Sequence, residues 1–287
     1  MSKNNPLVKP FVKWAGGKRQ LMPQILKYLP KSYGRYYEPF AGGGAVFLTL
    51  QHNKTTINDF NTELIYAYKA VRDNLEDLLT ELKVHESRNS SEYYYEVREW
   101  DRNGTIDTKS EVERAARFIY LNKTGFNGLF RVNSQNQINV PYGKYKNPAI
   151  VNEPILRAVS KYLNQKSIKI LNGDFEDAVK GVKSGDFVYF DPPYAPMVED
   201  KQSFVGYTLN GFGAEEQERL RDLVNTLTKK GVKVMLSNSS VKYIHDIYAD
   251  YKDTTVIVPA NRAINSNGAG RGKVDEVLIM NYNYLQE

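Results

Sequence analysis

Asp191-Pro192-Pro193-Tyr194 is the stretch of this chain whose residue types are best suited to chemistry. It follows Asp186-Phe187-Val188-Tyr189-Phe190, a run that reads as a buried strand, so it belongs at the carboxyl edge of a sheet. The two prolines fix the backbone, which lets a carboxylate and a carbonyl point at one target while the tyrosine offers a flat stacking face. An exocyclic amine carries two N–H donors and needs two acceptors. Hydrogen bonds to Asp191 and to the Pro192 carbonyl would favour a pyramidal nitrogen able to attack a methyl sulfonium, with Tyr194 holding a base flipped from a duplex. Taken structurally, the same four residues are a strand ending in a rigid proline turn.

Three further stretches carry candidate binding groups. In Glu38-Pro39-Phe40-Ala41-Gly42-Gly43-Gly44-Ala45-Val46-Phe47 a strand ends in glycines and opens into a helix, the arrangement at which nucleoside-containing ligands lie in open α/β sheets. A tight turn without a ligand has the same appearance. Asn58-Asp59-Phe60 falls where a second strand should end, 15 residues after Gly44, and the Asp59 carboxylate could accept from both ribose hydroxyls or cap the helix that begins near Thr62. Gly173-Asp174-Phe175 offers a polar contact and an aromatic wall for an adenine ring. By contrast, Phe11-Val12-Lys13-Trp14-Ala15-Gly16-Gly17-Lys18-Arg19 fails as a phosphate-binding loop, because the first glycine is absent and Arg19 stands where a magnesium-holding Ser or Thr is required.

The elements that must position these groups alternate along the chain. Strands are expected near Arg35–Glu38, ending at Ile57, and at Ile168–Leu171, Asp186–Phe190, Val232–Leu236, Thr254–Val258 and Val274–Tyr282, with helices after Gly17, from Ala45 and over Ala214–Lys230. Acids at Glu215, Glu216 and Glu218, Lys229-Lys230 and then Gly231 mark the ends of the last helix. The alternation predicts an α/β, Rossmann-like fold with a parallel-rich sheet. Residues 62–164 read instead as helices rich in Tyr, Glu and Lys, interrupted by a hairpin-like loop near 124–148. The expected organisation is a catalytic domain over 1–61 and 165–287 with a helical target-recognition subdomain over 62–164. The Gly/Asn-rich run Asn265–Gly272 reads as a hairpin connection, with Arg262, Arg271 and Lys273 as phosphate contacts or a solvated turn. Ala195–Phe212 reads as a lid.

Composition bounds the functional class. With 287 residues, 41% of them hydrophobic and 25% charged, the chain can bury a sizeable core. It carries no run of about 18 apolar residues and starts on a polar segment, so a cytoplasmic protein off the membrane is expected. The absence of cysteine removes cysteine-ligated metals and thiol nucleophiles, and with them cytosine C5 methylation, which needs a cysteine thiolate. No metal site is expected. The net charge of +6 is concentrated: Lys123, Arg131, Lys144, Lys146, Arg157, Lys161, Lys166 and Lys169 face one acid, Glu153, across that segment. The segment also interleaves Phe126, Phe130, Tyr142 and Tyr145 with Asn127, Arg131, Asn133 and Lys144, a mixture suited to a polyanion. A lysine-rich solvated surface is the plainer reading of the charge alone.

The ordered set Phe11–Lys18, Glu38–Phe47, Asn58–Phe60, Phe126–Asn133, Asn139–Lys146 and Asp191–Tyr194 resembles the Dam-type DNA adenine-N6 methyltransferases, including the GATC adenine methylases of restriction–modification systems, over nearly the whole chain. The resemblance implies a class I fold using S-adenosyl-L-methionine and yielding S-adenosyl-L-homocysteine. It assigns Asp191, Pro192, Pro193 and Tyr194 to catalysis. It assigns Trp14, Ala15, Gly16, Lys18, Glu38, Pro39, Phe40, Gly42, Gly44, Asp59, Phe60, Asp174, Phe175 and Asp191 to the cofactor. It places Lys13, Phe126, Asn127, Leu129, Arg131, Asn133, Asn139, Pro141, Lys144 and Tyr145 at double-stranded DNA, with Arg131 as guanine reader because its fork can donate to O6 and N7 together. Arg131 on phosphate is the alternative. The expected state is a monomer or weak dimer, with a cognate restriction endonuclease as a genetic rather than a stable partner. Rival readings are N4-cytosine, RNA or protein-glutamine methylation and a non-catalytic DNA-binding regulator on the same fold. A restriction endonuclease is disfavoured by the lack of an Asp…Glu-x-Lys cluster.

Overall fold

The computed structural model describes residues 4–16, 18, 21–196, 211–261 and 273–284. The strands are β1 Tyr36–Glu38, β2 Thr55–Asp59, β3 Lys169–Asn172, β4 Phe187–Phe190, β5 Lys233–Ser239, β6 Thr255–Asn261 and β7 Lys273–Met280. The α-helices are α1 Met22–Lys27, α2 Ala45–Leu50, α3 Thr62–Asp73, α4 Leu75–Arg88, α5 Ser91–Arg98, α6 Glu111–Thr124, α7 Glu153–Leu163, α8 Phe175–Ala178, α9 Ala214–Lys229 and α10 Lys242–Ile247. Seven strands form one sheet in the order β3-β2-β1-β4-β5-β7-β6. β1 pairs in parallel with β2 and β4, and β4 with β5, whereas β7 runs antiparallel to both β5 and β6. The α/β, Rossmann-like expectation is met. The order reverses between β1 and β4, and ligands of open α/β sheets bind beyond the carboxyl ends of strands at such a switch point.

The chain divides into two compact units, one of residues 1–17, 41–53 and 58–173, the other of residues 18–40, 54–57 and 174–287. In the second unit, β1 and β4 are buried at every position, which requires both faces of the sheet to be covered there. α9 supplies part of that cover: Gln217, Leu220, Val224 and Leu227 recur at three- and four-residue spacing and are its buried stripe. Leu220, Val224 and Leu227 pack with Val188, Phe190, Val234, Leu236, Val277 and Ile279. β5 runs three residues past its predicted end, because Ser237, Asn238 and Ser239 pair with Leu278, Val277 and Glu276. The predicted connection Asn265–Gly272, with Arg262 and Arg271, lies outside the described residues, as do 197–210 of the predicted lid and residues 17, 19 and 20 ahead of α1.

The first unit contains the whole of the stretch 62–164 and is built on helices α3 to α7. α6 is its axis, buried over Ala115–Asn122, and it begins with a reciprocal cap in which Glu113 N–H donates to Ser110 Oγ (3.2 Å) and Ser110 N–H to Glu113 Oε2 (3.0 Å). Around it sits a polar aromatic core. His85, 3% exposed, stacks on Tyr120 at 4.9 Å, and its Nδ1 lies 2.8 Å from the Tyr93 hydroxyl.

Burial, helped by the Arg88, Arg117 and Lys109 cations, pulls the His85 imidazole down to about 4. Its folded value is depressed below the unfolded one, so the folded state holds it neutral while the unfolded chain takes up a proton near 6.5. The stability this confers is complete above pH 6.5 and is lost as pH falls toward 4. Between pH 7.5 and 5 the wild type should therefore lose about 2 kcal/mol more than His85→Gln. Urea denaturation at the two pH values checks this, and equal losses would refute it.

Candidate active site

β4 delivers Asp191 to the edge of the sheet, and the second unit surrounds it with partners. Lys18 Nζ stands 2.8 Å from Asp191 Oδ1, with Lys18 only 5% and Asp191 19% exposed. Ser237, on β5 next to β4, donates to the same oxygen at 2.9 Å and contacts the Tyr189 hydroxyl at 3.0 Å. Burial raises the Asp191 carboxyl above its usual range, and Lys18 and Ser237 counter that rise by favouring the anion. Among the described residues nothing donates to Asp191 Oδ2 or to the Pro192 carbonyl. Among the described residues, two acceptors, one of them on a carboxylate, therefore have no donor at this strand end.

Tyr194 is fixed as firmly. Its hydroxyl donates to Glu276 Oε2 at 2.7 Å, and the Lys18 ammonium lies 4.4 Å from its ring centroid. Burial and the neighbouring Asp191 and Glu276 carboxylates hold the phenol well above its ordinary range, so it stays protonated. The loop itself is tied to the sheet and α9 by buried amides. Gln217 donates to the Pro193 carbonyl (2.9 Å), Asn238 donates to Gln217 (3.1 Å) and accepts from Ala195 N–H (3.0 Å), and Ser239 donates to the Ala195 carbonyl (2.6 Å). Also in this unit, Glu38 is buried and accepts from Tyr36 at 2.7 Å, Pro39 is buried, and Phe40 stacks on Phe175 at 5.4 Å. Phe175 is 5% exposed and belongs to the core. Asp174 caps α8 through Glu176 N–H (2.9 Å) and pairs with Arg219 (3.1 Å).

In the first unit the glycine turn and Asp59 meet directly. Asp59 Oδ2 accepts from Gly42 N–H and Oδ1 from Asn61 N–H, each at 2.9 Å. Burial raises the Asp59 carboxyl, and these backbone donors oppose the rise. The cap of α3 is Asn61, whose side chain accepts from Leu64 N–H, so Asp59 is not the capping residue. Gly42 and Gly44 have φ of 49° and 78°, and a Cβ on them would lie 2.7 Å from Trp14 Cδ1 and 2.7 Å from the Tyr68 hydroxyl. Trp14 stacks on Phe130 at 5.2 Å, Ala15 and Gly16 are exposed, and Phe60 presents a ring 81% exposed.

The same unit carries the basic, aromatic segment. Val132 and Ile138 bridge in antiparallel fashion, and Asn133 closes the turn between them by accepting from Gln135 and Gln137 N–H at 3.0 Å. Arg131 Nε donates to Asn139 Oδ1 at 2.7 Å, which aims an exposed guanidinium. Buried Asn122 exchanges 2.8 Å bonds with the Lys13 backbone and donates to the Gly128 carbonyl (3.1 Å), so Lys13 is fixed beside the turn that carries Asn127. Asn127 and Lys144 adopt left-handed φ of 56° and 54°. Lys13, Phe126, Asn127, Arg131, Pro141 and Lys144 are exposed, Leu129 and Tyr145 half-buried, and Lys13 Nζ is 5.6 Å from the Tyr145 ring centroid.

Sequence reading did not identify Ser237, Glu276, Gln217, Asn238 or Asn122. Its one available signal was Ser237-Asn238-Ser239, a polar tail on an apolar strand. Gln217→Leu should lower stability by about 2 kcal/mol, because it strands the Pro193 carbonyl and the Asn238 amide without a partner. Denaturant titration would show it, and a loss under about 0.5 kcal/mol would contradict the role given to Gln217.

Residues 14–263 match the model of the D12 class N6 adenine-specific DNA methyltransferases. The chain is 50% identical to the type II methyltransferase M1.LlaDCHI of Lactococcus lactis subsp. cremoris, over 98% of each chain. It is 43% identical to the type II methyltransferase M.MjaIII of Methanocaldococcus jannaschii (96% and 99% covered) and 34% identical to the DNA adenine methylase of Escherichia coli K12 (94% of each). With a family model over most of its length and relatives covered almost end to end, the chain belongs to the D12 class of N6 adenine-specific DNA methyltransferases.

Proposed function

We propose that the enzyme methylates adenine N6 within GATC in double-stranded DNA, using S-adenosyl-L-methionine and acting on a base flipped out of the duplex. The observation that carries the chemistry is the pair of open acceptors, Asp191 Oδ2 and the Pro192 carbonyl, beside Tyr194. An adenine amine has two N–H groups for those two acceptors, and its lone pair is otherwise delocalised into the ring. Accepting both hydrogens draws electron density onto nitrogen, and the Tyr194 ring supplies a stacking face for a base that a duplex would keep covered.

The residues fit the cofactor. Asp59 is a fixed carboxylate of the kind that accepts ribose hydroxyls, Phe60 is an exposed flat ring, and the glycine turn packs closely on Trp14 and puts the Gly42 N–H on Asp59. Trp14, Ala15, Gly16, Lys18, Glu38, Pro39, Phe40, Asp174 and Phe175 complete the proposed binding set. When bound, S-adenosyl-L-methionine supplies a methyl group on a sulfonium. The target amine loses one proton as the N–C bond forms, and Asp191, hydrogen-bonded to that N–H, is placed to receive the proton or pass it to water.

The GATC target is supported by the motifs shared with adenine methylases. The segment from Phe126 to Tyr145, with Lys13, is the proposed DNA face: Arg131 reads guanine, Asn127, Leu129, Asn133, Asn139 and Pro141 lie at the bases or sugars, and Lys13 and Lys144 neutralise phosphate. The type II relatives support a restriction–modification setting; a monomer or weak dimer is the proposed state.

Purified protein incubated with labelled S-adenosyl-L-methionine and duplexes with or without GATC should place label on the adenine of that site. Label on cytosine, on RNA or on duplexes lacking the site would refute the assignment. Asp191→Ala should cost about 100-fold or more in turnover while DNA binding persists. The pH profile gives a separate check. Burial already raises Asp191 and Lys18 restrains that rise, so Lys18→Met should move the acid limb of kcat/KM to higher pH. An unmoved limb would remove Lys18 from the control of Asp191 ionisation.

A further inference from the structure

We infer that Asp101 is a positioning residue for sequence discrimination, setting where the hairpin presents Arg131. This rests on the reading of Arg131 as the guanine reader. Asp101 ends the 3-10 turn Glu99–Asp101 that follows α5, and its side chain is 13% exposed. Its Oδ2 accepts from the hairpin amide of Ile138 at 2.8 Å and meets Arg117 Nη2 at 3.0 Å, while Oδ1 accepts from Arg102 at 2.6 Å. Arg102 in turn donates to the Ile138 carbonyl at 2.5 Å, so both backbone polar groups of Ile138 are tied to one carboxylate and its neighbour.

Both directions from this carboxylate are informative. Inward lies Arg117 on α6, 2% exposed, which donates to the Val97 and Arg98 carbonyls at 2.8 Å. A guanidinium so deep in the unit requires a counter-charge, and Asp101 is the carboxylate in contact with it. Outward, Ile138 bridges Val132 and precedes Asn139, whose side chain and carbonyl together hold the Arg131 guanidinium at 2.7 and 3.2 Å. The core cation therefore fixes Asp101, Asp101 fixes Ile138, and the next residue aims Arg131.

The consequence is selective. Bidentate recognition of guanine depends on both donors of the fork, so a small displacement of the hairpin lowers discrimination at the base pair Arg131 reads. Phosphate contacts tolerate the same displacement, so binding to DNA in general changes little. A residue that only supported the fold would affect every duplex alike.

Initial rates would be measured on a cognate duplex and on duplexes with single base-pair substitutions in the target, with calorimetric S-adenosyl-L-methionine affinity as a check on folding. Arg131→Ala identifies the base pair whose discrimination that residue supplies. Asp101→Ala should reduce discrimination at the same base pair by about 10-fold, and Arg131→Ala with Asp101→Ala should be no worse there than Arg131→Ala alone. Asp101→Asn, whose amide oxygen can still accept from Ile138 N–H, should retain most of it. Because Asp101→Ala strands the buried Arg117 cation, Asp101→Ala with Arg117→Met serves as the folded form of the same test, with the same expected loss. Unchanged discrimination in that pair, or an equal fall on all duplexes, overturns the inference. If Arg131→Ala leaves discrimination intact at every base pair, the failure lies instead in the reading of Arg131 itself.

Discussion

A carboxylate placed at the end of a buried strand is the constraint around which the second unit is arranged. An uncompensated carboxylate there would cost several kcal/mol or take up a proton. Lys18 and Ser237 oppose both, and they do so through the same oxygen, Oδ1. Had they bridged the two oxygens, Asp191 would be a satisfied structural ion pair. Because they converge on one, the anion is stabilised while Oδ2 keeps its acceptor capacity. That capacity is what the proposed transfer to an amine would use.

The same requirement gives meaning to the one departure from a parallel sheet. β7 enters antiparallel between β5 and β6, and its register sets Glu276 opposite Ser239. From there Glu276 takes the Tyr194 hydroxyl, while Ser239 and Asn238 on the adjoining strand take the backbone of Ala195. Neighbouring strands thus hold the loop after Asp191 by its tyrosine and by its main chain. Gln217 adds the grip of α9 on Pro193. Prolines restrict the loop's own dihedrals, and these long-range bonds determine where the restricted loop points.

The strands were legible because burial on both sides leaves uninterrupted apolar runs such as Phe187–Phe190, and the motif Asp191–Tyr194 was legible because its residue types are unusual together. The end of β5 was misplaced because Ser237, Asn238 and Ser239 have the composition of a turn, and only pairing with β7 makes them strand. Asp59 has the residue type of a cap in sequence, and two hydrogen bonds decide otherwise: Gly42 N–H donates to Asp59 and Leu64 N–H donates to Asn61. The supporting residues stayed hidden for a common reason. Glu276 lies 82 positions from Tyr194, and Asp101 lies 37 from Ile138, with no local pattern linking either pair. Lys18 sat in a glycine-rich run that invites comparison with a phosphate loop, and only folding brings it to Asp191.

Lys18 also determines what the tyrosine can do. Its ammonium occupies one face of the Tyr194 ring at 4.4 Å while bonded to Asp191 at 2.8 Å. A base stacking on Tyr194, as proposed, would have to use the face that Lys18 does not cover. The Glu276 hydrogen bond prevents the ring from swinging to exchange those roles. One cation thus tunes the acceptor and restricts the stacking side together, which is why neutralising it reaches further than the loss of a surface ion pair, a change commonly worth only about 0–1 kcal/mol. Lysine suits this position better than arginine. A compact ammonium can sit over a ring while bonding a single carboxylate oxygen, whereas a planar fork engages both oxygens and would close the acceptor proposed for the amine.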